Sequence, residues 1–207
     1  SAASQLGLRR VAATGGAVSI ALADSVLHGD GVLFPTALPR SRGVLFEDCT
    51  SNCVTTSLHV LDLKTGKQKK LIDGVTMGWY LRNGELLYLG PDGVADVVPF
   101  NLSDLSIQGA SIPVLQGVSI LSNRPMLAWS PSGKLVYGVA NASADALSLR
   151  YANRAGAMTN ADPAWTGHFN SFAISPDGHR AAVSVNTPGA GIDIWIKQLD
   201  TGPFTRL

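Results

Sequence analysis

Charge is scarce in this chain. Acidic and basic residues fill 15% of its 207 positions and the formal net charge is +1, against roughly 25% charged residues in an average globular domain. The longest basic run is Lys67-Gln68-Lys69-Lys70. That is far short of the stripe a nucleic-acid backbone requires, which excludes a nucleic-acid partner, and such lysines suit an exposed strand edge. Long hydrophobic runs are missing too. No stretch approaches the ~20 apolar residues that cross a bilayer, so no membrane segment is expected in this chain. The start, Ser1-Ala2-Ala3-Ser4-Gln5, has neither the basic nor the apolar region of a leader. Cysteine is limited to Cys49 and Cys53, set in the loop-like run Asp48-Cys49-Thr50-Ser51-Asn52-Cys53. Two such ligands cannot complete a structural zinc site, so a loop disulfide is the preferred reading and free thiols the alternative. A disulfide would favour an oxidising compartment.

Apolar residues, by contrast, make up 45% of the chain, and they fall in short runs around a recurring turn. Its copies are Leu38-Pro39-Arg40-Ser41-Arg42-Gly43, Leu81-Arg82-Asn83-Gly84, Ser130-Pro131-Ser132-Gly133 and Ser175-Pro176-Asp177-Gly178. The spacing of their glycines is close to the period of a four-stranded propeller blade. A blade cannot bury both faces alone and must stack on neighbours. The sequence therefore predicts an all-β propeller of four-stranded antiparallel blades, arranged as a single array over residues 1–207.

The expected organisation is an outer half-blade at 8–22 and blades at 28–73, 74–118, 123–160 and 168–207, about four and a half in all. In the first blade the strands are expected at 32–35, 43–46, 58–63 and 68–72, and in the last at 171–174, 180–185, 192–196 and 204–207. Pro113 suits an outer edge strand. A ring needs a whole number of blades. The count points to a piece of a longer protein, with self-association of two open arcs through their blade edges as the alternative.

The last blade, with Ser175-Pro176-Asp177-Gly178-His179-Arg180, Asp193-Ile194-Trp195-Ile196 and Thr205-Arg206-Leu207, resembles the TolB-type, WD-repeat-like propeller repeat of bacterial proteins. The runs Val98-Pro99-Phe100-Asn101-Leu102 and Ile112-Pro113-Val114-Leu115-Gln116-Gly117-Val118 are similar to the propellers fused to bacterial membrane serine/threonine kinases. That resemblance implies a periplasmic or extracellular binding or sensing domain. The kinase motifs themselves are not in this sequence, nor is the Gly-x-Ser-x-Gly elbow of the hydrolases that carry similar propellers.

Residues just before each innermost strand should converge on a channel mouth. They are His28 and Asp30, Asp73, Asn123 and Arg124, and His168 and Asn170. Solvated loop residues are the plainest reading of these. A calcium site using Asp30 and Asp73 is a second, with His28 or His168 as general base in a hydrolase of lactones or esters. A third is a small-molecule or protein ligand held by Asn123, Arg124 and Asn170, with Trp165 as a stacking surface. A platform for protein partners would instead expose a flat apolar patch. Trp79, Trp129 and Trp195 read as packing between blades, His59 and His179 as structural, and Asp177 as a turn residue accepting backbone hydrogen bonds.

Overall fold

The fold is seen in a computed structural model, which describes residues 7–27, 31–50, 53–121, 124–130, 134–140, 147–153, 157–162, 165–187, 189, 191–199 and 202–207. The chain is all-β and forms two compact units, residues 1–91 with 96–112, and residues 92–95 with 113–207.

The first unit opens with a two-stranded antiparallel piece, β1 (Leu8–Arg10) and β2 (Ser19–Leu22), the expected half-blade. Leu8 and Leu22 face each other across the ladder and pack with Leu27 on Phe46 and Leu61 of the next sheet. That sheet is the first full blade, in the order β3 (Gly31–Ala37), β4 (Gly43–Thr50), β5 (Thr55–Asp62) and β6 (Gln68–Asp73). Its face away from the half-blade carries Leu45, Leu58 and Val60. These join Val75, Leu86, Val98 and Phe100 in a core with the second blade. The second blade contains β7 (Met77–Tyr80), β8 (Glu85–Leu89) and β9 (Ala95–Asn101). Two short strands on β9, β10 (Ser106–Ile107) and β11 (Ile112–Leu115), share its outer place.

The second unit holds a two-stranded ladder, β12 (Ile120–Leu121) with β13 (Arg124–Pro125), and two further blades. The third blade is β14 (Leu127–Trp129), β15 (Leu135–Ala140) and β16 (Leu147–Ala152), with β17 (Met158–Asn160) and β18 (Thr166–Gly167) both on β16. The fourth is β19 (Phe169–Ile174), β20 (Arg180–Thr187), β21 (Gly191–Gln198) and β22 (Phe204–Arg206). Met126, Val136, Leu149, Phe169, Ala181 and Val183 form the core between them.

Three local expectations are corrected. The first is the run 48–53, which was expected to be a loop. Instead β4 continues through Thr50 and pairs to Thr55 on β5, so Cys49 lies on a strand. Its polar residues gave the run a loop-like composition, but Glu47 and Asp48 are buried between sheets.

The second is the equivalence of the four turns. Each is closed by a backbone bond, from Leu38 to Gly43, Leu81 to Glu85, Ser130 to Lys134 and Ser175 to Arg180. Gly43 therefore stands in the place of Glu85, one position beyond Gly84, and the left-handed conformations of the first turn fall on Arg40 and Ser41. Gly84 and Gly178 do take positive φ. Gly43 is needed for a different reason, because a Cβ there would lie 2.5 Å from the Leu61 carbonyl oxygen.

The third concerns the outer strands of blades two and three, expected as one strand each, at 112–115 and near 157–159, and each found as two short pieces. Ile112–Leu115, with Pro113, is one of those outer pieces, the place that suits a residue with no N–H to give to a ladder.

Cys49 and Cys53 are joined in a disulfide. It closes a loop with a sequence separation of 4 across the β4–β5 hairpin. Chain entropy for so short a loop gives about 2 kcal/mol. Cys49→Ala with Cys53→Ala is expected to lower the unfolding free energy by that amount, read as the shift in urea midpoint at constant slope.

Candidate functional site

The residues that could carry chemistry are distributed over both units. His28, Asp30 and Asn123 lie outside the described residues. In the first unit, Asp73 ends β6, the outermost strand of its blade, opposite Ser57. Its carboxylate is exposed and accepts a bond from Lys70 Nζ at 2.9 Å. An ion pair three residues apart on an edge strand is a surface feature of small energetic weight. Among the described residues, no three of His, Cys, Asp and Glu gather in a group that could hold a metal.

In the second unit, Arg124 is exposed on β13. Trp165, His168 and Asn170 lie together along the entry to β19, the innermost strand of blade four. The indole of Trp165 meets Phe169 edge-on at 5.0 Å and Phe204 at 4.3 Å, and Lys197 Nζ lies 5.9 Å from its ring centre. Lys197 is itself buried and donates to Asp162 Oδ2 at 2.9 Å and to the Gly202 carbonyl. Trp165 is therefore a member of the packed aromatic cluster that continues through Phe204 to Trp195.

His168 is exposed, and its carbonyl accepts the Asn186 N–H at 2.8 Å. The ladder of β19 on β20 shifts register between Phe169 and Ser171, leaving Asn170 as the extra residue. A bulge of this kind bends a strand and re-aims a side chain, and bulges concentrate at strand ends and beside binding sites. The result is a polar end of blade four in which His168 and the half-buried Asn170 stand near Asn186, itself exposed. Its groups are an imidazole and two amides, suited to donating and accepting hydrogen bonds.

The other residues singled out have structural partners. His59 is buried, with Nε2 3.0 Å from Ser57 Oγ and Nδ1 2.6 Å from Gln68 Oε1. Asp177 accepts from the Ser175 hydroxyl and from the His179 N–H, and these bonds hold its carboxyl below the usual carboxylate range. Asp193 pairs with Arg206 at 2.8 Å. Arg42 reaches across two blades of the first unit, donating to Asp62 and to the Ser103 carbonyl.

One acid was not anticipated. Glu47, on β4, is completely buried, and its register partners are Leu33 and Leu58. Oε1 accepts the Gly78 N–H at 2.9 Å, while Oε2 has no partner. Burial pushes its pKa from the ordinary 4.5 up to about 8, against the lowering effect of the Gly78 bond. The signal was present in the alternation, since Glu47 shares a strand face with Leu45. An expected strand that stopped at residue 46 concealed it.

No known protein family's profile matches the chain, and no curated protein matches it in sequence. Its structure is similar to that of TolB from Acinetobacter baumannii, with a TM-score of 0.70 at 15% identity. The match covers 97% of this chain and 48% of that one, so the chain spans about half the length of the TolB structure. A putative TolB from Agrobacterium tumefaciens gives 0.67 at 14% identity, over 92% of this chain and 65% of that one. A puromycin hydrolase gives 0.67 at 16% identity, over 92% of this chain and 30% of that one. At these identities the likeness speaks for fold alone, and the fold is that of the TolB-type β-propellers.

Proposed function

We propose that this chain is a binding or sensing module of an extracytoplasmic space, taking a small-molecule or protein ligand at the polar end of blade four. The observation that carries the reading is the bulge at Asn170, which sets a half-buried amide beside the exposed His168 at the start of an innermost strand. The Cys49–Cys53 disulfide supports an oxidising location, and the TolB-like fold agrees with it. Arg124, exposed on β13, is proposed as an auxiliary contact for an anionic ligand.

The competing reading is a calcium-dependent hydrolase of lactones or esters with His28 or His168 as base. A thermal-shift titration with calcium and with chelator separates the two, run together with a p-nitrophenyl acetate assay. A metal bound only to the folded chain raises the melting temperature as its concentration passes the dissociation constant. The binding reading expects no calcium-dependent shift, and ester turnover that is the same for the parent and for His168→Ala. A calcium shift accompanied by turnover that His168→Ala abolishes would replace it with the hydrolase.

A further inference from the structure

Ser57, His59 and Gln68 form a chain of hydrogen bonds on one face of blade one. The ladder places Ser57 opposite Asp48 and Asp73, His59 opposite Phe46 and Lys70, and Gln68 opposite Leu61. Residues paired directly across strands share a face of the pleat. Phe46 and Leu61 mark it as the face on which the half-blade packs. His59 Nε2 is 3.0 Å from Ser57 Oγ, and Nδ1 is 2.6 Å from Gln68 Oε1.

The direction of each bond follows from the far end of this chain. The Gln68 side-chain nitrogen donates to the Val26 carbonyl at 3.3 Å, in the short 3-10 turn Asp24–Val26 that follows β2. The amide oxygen is therefore the atom turned to the imidazole. An amide oxygen only accepts, so Nδ1 carries the ring proton. In the neutral ring Nε2 then holds a lone pair, and the Ser57 hydroxyl donates to it. A histidine kept only for packing is satisfied in either tautomer. Here the Val26 bond selects the tautomer whose basic nitrogen faces a hydroxyl, which gives Ser57, His59 and Gln68 the roles of nucleophile, general base and orienting group.

The surroundings indicate the substrate class. Ser57 stands between Asp48 and Asp73 in one row of the sheet. Asp73, exposed on the outermost strand, opens that row to water. Lys70 lies on the same face and pairs with Asp73. Asp48 is 6% exposed, and its Oδ1 has no partner among the described residues. A carboxyl left in this way beside a nucleophile complements a positively charged group.

We infer that Ser57, His59 and Gln68 form a second site, a nucleophilic serine that hydrolyses esters whose acyl group carries a positive charge. This goes beyond ligand binding at blade four and makes no use of His168. Nε2 of His59 takes the hydroxyl proton as Ser57 Oγ bonds to the ester carbonyl carbon. The bond from that carbon to the alcohol oxygen breaks, and His59 returns the proton to the departing alcohol. Water then repeats the exchange. Nε2 takes a proton from it as its oxygen bonds to the acyl carbon, and that proton goes to Ser57 Oγ as the acid leaves. Ser57 and His59 are the catalytic residues, and Gln68 is a positioning residue.

The test uses the whole 207-residue chain with p-nitrophenyl glycinate, whose acyl group is cationic, and with the neutral p-nitrophenyl acetate. Turnover above the spontaneous rate is expected for both, with the larger kcat/KM for the glycinate. Phenylmethanesulfonyl fluoride should stop turnover and leave its sulfonyl group on the peptide that carries Ser57, read by mass spectrometry. Ser57→Ala should abolish turnover and labelling while keeping the parent's urea midpoint. His59→Gln should lower kcat by roughly a hundredfold, the usual weight of a general base. Gln68→Leu should lower kcat by at least about tenfold with KM unchanged, and Gln68→Glu, which keeps an acceptor for the Nδ1 proton, should restore it. Asp48→Asn should remove the preference for the glycinate. A parent that shows neither turnover nor a sulfonyl group on Ser57 overturns the inference. So does turnover at the parent rate in Ser57→Ala or in His59→Gln. Equal kcat/KM for the two esters overturns the cationic substrate class.

Discussion

Glu47→Gln is expected to make the protein more stable at neutral pH by about 3 kcal/mol, with the gain vanishing near pH 4. Glutamine has the shape of the protonated acid and keeps the oxygen that accepts the Gly78 N–H, but it cannot ionise. A carboxyl pushed up to about 8 in the folded chain keeps a proton that the unfolded chain has released. Its contribution is thus undiminished below about 4.5, declines as pH rises, and levels off beyond about 8. Each pKa unit is worth roughly 1.4 kcal/mol, which sets the figure of about 3 kcal/mol at pH 7. Urea unfolding of the parent and the variant at pH 4.5, 6, 7 and 8.5 measures this directly. Two parallel stability curves would show that Glu47 does not hold its proton in the folded state.

Phe169→Ala should cost about 4 kcal/mol, within the range of large-to-small changes at fully buried aromatic sites. Phe169 opens β19 with no exposed surface, and its ring supports Trp165, which in turn packs on Phe204. Its removal leaves a cavity under a half-buried indole, and the cost depends on how far that cluster can collapse. Trp165→Ala should cost less, about 2 kcal/mol, because part of the indole already meets solvent. The comparison also bears on the binding site. A tryptophan serving only as a ligand platform would be removable without loss of stability, and unchanged urea midpoints for Trp165→Ala would restore that role.

The architecture was legible because its signals are local. Ser175-Pro176-Asp177-Gly178 forms its turn from its own side chains, with Asp177 accepting the His179 N–H and Gly178 supplying the positive φ. Alternating runs on either side then have little choice but to pair as hairpins. The half-blade was legible for the same reason, with Gly15 and Gly16 both at positive φ between its strands. The first repeated turn was misaligned by one residue. A glycine required by the Leu61 carbonyl nearby looks in sequence like a glycine required by its own backbone.

The candidate site was less legible, since a polar residue before a strand looks the same whether it lines a site or faces water. Asp73 was read from its place in the chain as a solvated loop residue first and a calcium ligand second, and its exposed carboxylate is paired with Lys70. Asn170 was read as lying just before an innermost strand at 171–174, whereas β19 begins at Phe169, and the bulge that sets Asn170 apart from the ladder has no marker in Phe169-Asn170-Ser171.

By itself, then, the sequence determined the strand-and-turn rhythm of this protein and the blades that follow from it, because alternation and turn chemistry act between residues close in the chain. Tertiary structure alone decided which face of each strand is covered. Leu149 and Ile194 are both apolar residues on the third strand of their blades, yet Leu149 is buried in the core it shares with Phe169 and Val183 while Ile194 is exposed. Glu47 belongs to the same category. Its neighbours in sequence mark it as an ordinary acid, and the burial that holds its proton comes from a second blade whose Gly78 lies 31 residues away.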